Sequence, residues 1–163
     1  MIASASPRTV ISLLLVASVA VVGGALLFQY VGGLEPCELC LYQRWPYYAA
    51  IVATGVALLS GGARAMEAVI ALCGLLFAAS TVLALYHVGV EHHLFAGPTA
   101  CTGSLTGASS VEALKAQLLA RQPVNCDEPA WRLFGISLAG WNLVASALIT
   151  AFCLGAVVKR AHR

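Results

Sequence analysis

The stretch that decides the fold is VISLLLVASVAVVGGALLFQY, residues Val10–Tyr30, which holds no charged side chain; none occurs between Arg8 and Glu35. A helix crossing the hydrocarbon core of a bilayer needs about 20 such residues. This run has the required length and is apolar all round, as expected for a helix solvated by lipid rather than one with a wet face. It exceeds the roughly 7–15 residue core of a secretory signal, and no small-x-small cleavage site follows, so it reads as a retained span.

Three further stretches have the same character: about Trp45–Ser60, between Arg44 and Arg64; about Ala68–Val90, between Glu67 and Glu91; and about Leu138–Val158, between Arg132 and Lys159. The second is short, and Leu39, Leu41 and Tyr42 are able to extend it. Composition agrees with lipid as solvent. Of 163 residues 60% are hydrophobic and 10% charged, against about 45–50% and about 25% in a typical soluble domain. A net charge of +2 with no basic patch away from the chain ends gives no footing for nucleic acid. The expected fold is an all-α membrane protein: one domain over residues 1–163, an antiparallel bundle of four transmembrane helices (about 10–30, 45–60, 68–90 and 138–158), with loops at about 31–44 and 91–137 on one side.

Four spans put both termini on one side with the short loop Gly61–Glu67. That side carries Arg8, Arg64, Lys159, Arg160 and Arg163 on short segments; Arg44, Lys115, Arg121 and Arg132 are spread over the opposite loops. The positive-inside bias places the termini in the cytoplasm. Six of the seven acids, Glu35, Glu38, Glu91, Glu112, Asp127 and Glu128, then lie outside. Tyr30, Tyr42, Trp45, Tyr47, Tyr48, Tyr86, Trp131 and Trp141 gather near the outer boundary, as an aromatic belt does. Within the longer loop, Ser109 and Glu112 fit a capping box, predicting a short helix over Ser109–Arg121 that Pro123 ends.

The six cysteines divide by depth. Cys73 and Cys153 fall inside spans and read as small apolar packing residues. Cys37, Cys40, Cys101 and Cys126 all fall in outward loops, on the side where disulfides form. Four cysteines allow three connectivities; the local C-x-x-C, Cys37 and Cys40, leaves Cys101 and Cys126 as the natural second pair. A C-x-x-C disulfide closes too small a loop to stabilise much, so it serves better as a redox switch than as a staple, whereas a Cys101–Cys126 bridge is also compatible with a purely structural role. Pro36 suits the first turn of a helix. A helix starting there would favour a thiolate at its N-terminus, and Arg44, one turn after Cys40, would favour it further; snorkelling of Arg44 to headgroups is the bland alternative. A zinc site lacks its usual spacing, because the second pair is not another C-x-x-C.

The run Pro36-Cys37-Glu38-Leu39-Cys40-Leu41-Tyr42-Gln43-Arg44 resembles the first-loop motif C-x-x-C-x-Y-x-R of the DsbB family of disulfide-bond formation proteins, and Cys126-Asp127-Glu128-Pro129-Ala130-Trp131-Arg132-Leu133-Phe134-Gly135-Ile136-Ser137 is similar to that family's exit from its second loop. With the topology, the resemblance covers essentially the whole chain. It implies a bacterial inner-membrane enzyme with periplasmic cysteine loops that reoxidises a soluble DsbA-like oxidase and passes electrons to the membrane quinone pool, ubiquinone or menaquinone; DsbA, DsbB and quinone are the known couple that keeps a bacterial periplasm oxidising. It implies Cys101 in the mixed disulfide with the oxidase, Cys126 resolving it, Cys37 exchanging with the second-loop pair, and Cys40 beside a quinone bound by Arg44. A histidine near the quinone is expected at the outer end of the third span, where His92 matches better than His87 or His93. A vitamin-K-epoxide-reductase-like enzyme would carry its C-x-x-C near the last helices. A scaffold with structural disulfides would keep both bridges under mild reductant and never form a mixed disulfide.

Overall fold

The computed structural model describes residues 6–98, 110–112, 115 and 126–161. Helix α1 spans Pro7–Tyr30, α2 Glu38–Ser60, α3 Ala63–Glu91 and α4 Leu138–Ala161. Each boundary has a local cause. Ser6 caps α1, its hydroxyl accepting from the Thr9 N–H at 3.2 Å with Pro7 in the first helical position. Gly61 ends α2 in the left-handed conformation, φ 69°, which glycine adopts without a steric cost, and Gly62 is already the N-cap of α3. Pro46 sits inside α2; lacking an N–H, it leaves the carbonyl one turn earlier without its helical partner.

The chain from Val31 to Pro36 is not helical. Pro36 does not enter the first turn of α2: Cys37 is the N-cap and the helix begins at Glu38, because the Cys37 sulfur itself accepts the Cys40 N–H. Between Trp131 and α4 a two-stranded antiparallel hairpin interrupts the all-helical plan. Strand β1, Arg132–Leu133, pairs with β2, Ile136–Ser137, through a two-residue turn of Phe134 (φ 53°) and Gly135 (φ 80°). Two positive φ values in a row match the twist of paired strands. Of the predicted helix over Ser109–Arg121, only residues 110–112 and 115 are described; Val111, Glu112 and Lys115 are helical.

The core is a column of side chains from all four helices: Ile11 and Leu14 of α1, Tyr47 and Ala50 of α2, Ile70, Cys73 and Phe77 of α3, and Cys153 of α4. Tyr47 meets Phe77 edge to face, centroids 4.9 Å apart. Cys73 and Cys153 are buried free thiols. Outside this column the surface is apolar: Val16, Val52, Leu59, Leu75, Val82 and Leu148 are all exposed. Among the described residues three helices, Pro7–Tyr30, Ala63–Glu91 and Leu138–Arg160, are long and apolar enough to cross a membrane. The fourth, α2, has 23 residues but carries Glu38, Gln43 and Arg44 in its first two turns.

Helices α3 and α4 pack tightly at Gly74, where an added Cβ would stand 3.3 Å from Cys153 Cβ. Small residues at such contacts let helix backbones close on one another. Gly74→Leu forces the two helices apart and is expected to lower stability by about 1–3 kcal/mol, measured as an earlier thermal unfolding transition in detergent.

Candidate functional site: a buried dithiol at the edge of an apolar cavity

Cys37 and Cys40 are set by the start of α2. Cys37, extended at φ −69° and ψ 170°, is the N-cap, and its sulfur accepts the Cys40 N–H at 3.3 Å. One turn of helix brings the two Sγ atoms to 2.8 Å, with the Cys37 thiol donating to Cys40. Both cysteines are free; Cys37 is buried and Cys40 half-buried. The pair precedes the apolar length of α2. The hydrogen bond from Cys37 lowers the pKa of the Cys40 thiol; burial opposes it, and the Arg44 charge lowers it further. The same hydrogen bond, joined by burial, pushes the Cys37 thiol up. One thiol is thus held protonated so that its neighbour can carry charge. Arg44 is half-buried. Its Nη1 donates to Gln29 Oε1 of α1 at 2.6 Å, which fixes the guanidinium one turn from Cys40.

Beside the dithiol, along the wall of one cavity, runs a chain of polar side chains. His87 Nε2 is 3.6 Å from the Cys37 sulfur, and the same ring hydrogen-bonds to the backbone of Cys126. Its Nδ1 is 2.8 Å from Gln43 Nε2. Asn142 Nδ2 of α4 donates to Gln43 Oε1 at 2.7 Å, and the Tyr47 hydroxyl donates to Asn142 Oδ1 at 2.7 Å. Tyr47, Gln43 and His87 are 1%, 5% and 2% exposed, so each group depends on its neighbour in the chain for the hydrogen bonds that water would otherwise give.

In front of the dithiol is a cavity of about 380 Å³, within the size range of small-molecule sites. Its walls are apolar and aromatic, with Ala20, Gly24 and Phe28 from α1 and Trp131 and Trp141 from the far end of the chain. Its polar end is made by Cys37, Cys40, Gln43, Arg44, His87 and Glu91. Trp131 closes one side by packing on Phe28, centroids 4.9 Å apart, and Trp141 Nε1 donates to the Leu133 carbonyl at 3.3 Å, tying the hairpin to α4. An apolar slot with a few converging donors at one end suits a flat apolar molecule with polar oxygens on its rim.

Cys126 is disulfide-bonded, 2% exposed, and packed in one cluster with Cys37, Leu39 and Val90. The structure therefore brings Cys126 to the C-x-x-C; Cys101 lies outside the described residues. His92 caps the end of α3 and is exposed, as is His93; neither lines the cavity. His87, more than a turn earlier, is the histidine at the dithiol. Gln29, Gln43, Tyr47 and Asn142 also belong to the site, and the residue pattern did not single them out for it. The sulfurs of Cys37 and Cys40 and a ring nitrogen of His87 lie within 4.8 Å of one another, close enough for a metal ion. The hydrogen bonds of His87 weigh against one, since with Nδ1 accepting from Gln43 the Nε2 that faces the sulfurs carries the proton.

A dithiol of unequal acidity, a second cysteine site packed with it and an apolar cavity, in a chain with three helices of lipid-spanning length, define a helical membrane protein of thiol–disulfide chemistry. The family profile described as "Disulfide bond formation protein DsbB" matches residues 7–156, and the chain belongs to the DsbB family. "Disulfide bond formation protein B 1" of Pseudomonas aeruginosa is 30% identical over 166 residues, covering 96% of this chain and 98% of that protein. "Disulfide bond formation protein B" of Stutzerimonas stutzeri is 29% identical over 161 residues, with the same two shares. An uncharacterised protein of Rickettsia prowazekii is 27% identical over 142 residues, 85% of this chain and 81% of its own. No solved structure matches the chain. The chain is thus a transmembrane oxidoreductase of disulfide bond formation.

Arg44→Met removes the cation that favours the Cys40 thiolate. Because that charge lowers the Cys40 pKa, its loss moves the pKa up. Alkylation of Cys40 by iodoacetamide, followed by mass spectrometry, is expected to require a higher pH in the variant than in the unaltered protein.

Proposed function

We propose that the chain is a quinone-dependent protein-dithiol oxidoreductase of the bacterial inner membrane, which reoxidises a periplasmic DsbA-like oxidase. The observation that carries this reading is the line Cys126, Cys37, Cys40, cavity: a second-loop cysteine packed on the first thiol of the C-x-x-C, whose second thiol opens on an apolar slot beside Arg44. In this reading all four helices cross the bilayer as an antiparallel bundle, with the termini cytoplasmic and both cysteine loops periplasmic.

The exchange steps conserve electrons at sulfur. A thiolate of the reduced oxidase attacks Cys101, forming a mixed disulfide and releasing Cys126 as a thiolate. Cys126 attacks the Cys37–Cys40 disulfide at Cys37, and the electron pair of the broken bond leaves on Cys40, where the Cys37 end of α2 and Arg44 support the charge. The second thiolate of the oxidase then breaks its own mixed disulfide, the oxidase departs oxidised, and Cys101 attacks Cys126 so that Cys37 leaves with the remaining pair. Two electrons from the partner dithiol now reside on Cys37 and Cys40. A quinone held in the cavity supplies a two-electron, two-proton acceptor. Phe28, Trp131 and Trp141 would hold its ring, Arg44 would donate to one of its oxygens, and the apolar walls would keep water from the Cys40 sulfur.

The test is quinone reduction by purified protein supplied with a reduced DsbA-like partner, using ubiquinone and menaquinone in turn. Turnover is expected, with loss by at least a hundredfold (roughly 3 kcal/mol or more of barrier) in Cys40→Ser and in Cys101→Ser. Absence of turnover with both quinones, in folded protein that keeps its disulfides, would leave a membrane protein whose bridges are structural.

A further inference from the structure

The polar chain beside the dithiol has a direction. Tyr47 donates to Asn142, and Asn142 donates to Gln43. Gln43 has then used its carbonyl as an acceptor and turns its amide N–H₂ to His87 Nδ1. An imidazole that accepts at Nδ1 and is neutral carries its proton on Nε2. That nitrogen faces the Cys37 sulfur, 3.6 Å away, and the ring also bonds to the Cys126 backbone, where a carbonyl can only accept. The Cys37 thiol in turn donates to Cys40. Every hydrogen bond from the Tyr47 hydroxyl onward thus runs the same way and ends on the sulfur that opens on the cavity. Donors aligned head to tail polarise one another, and reversing any amide in the chain would reverse all that follow.

We propose that Tyr47 and Asn142 are positioning residues of the redox centre: through Gln43 they hold His87 in its Nε2–H form, so that the ring donates to the Cys37 sulfur and the Cys126 carbonyl and the donor chain terminates on Cys40. Neither residue is hydrogen-bonded to Cys37 or Cys40, although both also line the cavity. Asn142 is placed by α4 and Tyr47 by α2, so the chain also ties the dithiol to the packing of the bundle core. The proposal rests on the reading of Cys37 and Cys40 as the redox pair, but its test uses neither quinone nor partner.

Three variants of the full chain in detergent are compared. Tyr47→Phe removes the first donor at nearly constant volume. Asn142→Asp keeps the shape but replaces a donor with an acceptor, so that Gln43 must turn its N–H₂ toward α4 and its carbonyl toward His87. Asn142→Leu cuts the chain. Two readouts are taken: the ring-nitrogen NMR shifts of His87, identified by their loss in His87→Gln, and the pH profile of Cys40 alkylation. Arg44 and Glu91 also face Cys40 and are unaltered in all three variants. The carboxylate of Asn142→Asp adds its own charge to the cavity that Cys40 lines, so the neutral variants Tyr47→Phe and Asn142→Leu decide whether a change in the profile reports the chain, and both are expected to slow alkylation. The unaltered protein is expected to show a protonated Nε2. Asn142→Asp is expected to move the proton to Nδ1 and to slow Cys40 alkylation at neutral pH about fivefold, the equivalent of one hydrogen bond of about 1 kcal/mol. Tyr47→Phe is expected to move both readouts the same way by less. A protonated Nδ1 in the unaltered protein, an unchanged tautomer in folded Asn142→Asp, or an unchanged alkylation profile in folded Tyr47→Phe and Asn142→Leu would overturn the proposal. If the shifts appear and quinone turnover does not, the proposal stands and the quinone reading falls.

Discussion

Negative charge on a sulfur atom at the margin of an apolar cavity is costly unless donors and a cation are already in place around it. Much of this molecule can be understood as the supply of those groups. The α2 N-terminus presents its backbone N–H to Cys37, the Cys37 thiol presents its proton to Cys40, and Arg44 is pinned by Gln29 at one turn's distance. None of these groups needs to move when charge develops, which is the economy of a preorganised site. Packing serves the same end. The edge-to-face contact of Tyr47 with Phe77 sets the ring whose hydroxyl begins the donor chain, so the hydrophobic column and the polar chain share a residue.

The spans of apolar residues were readable because lipid-facing helices need no periodic pattern, only length without charge. The start of α2 was harder. Glu38, Gln43 and Arg44 interrupt the hydropathy of its first two turns, yet the helix begins there because Cys37 caps it and Cys40 closes the cap. The motif Cys37–Arg44 was legible as chemistry, since a C-x-x-C and a cation one turn later have a meaning at any position. The polar chain was not. Gln43, His87 and Asn142 are far apart in the chain, and only the packing of α2, α3 and α4 brings them within hydrogen-bond distance. His92 looked better placed than His87 because it stands at the outer end of the third apolar run. The helix phase turns His87 inward to the dithiol, while His92, at the end of α3, is exposed. The hairpin escaped notice because two-residue strands are too short to show alternation.

Cys126 links the two halves of the outer face. It is buried against Cys37, and the segment that follows it supplies a wall of the cavity through Trp131, which rests on Phe28. Hence the loop carrying the second thiol site also shapes the cavity in front of the first.

That arrangement sets a leash. With Trp131 seated on Phe28, Cys126 is five peptide steps from a fixed point, and an extended chain covers at most about 18 Å in five steps. The Cys126 backbone stays within that distance of Trp131 for as long as the indole keeps its seat. A thiol that exchanges with Cys126 must therefore come within that radius of Trp131, whatever element carries it.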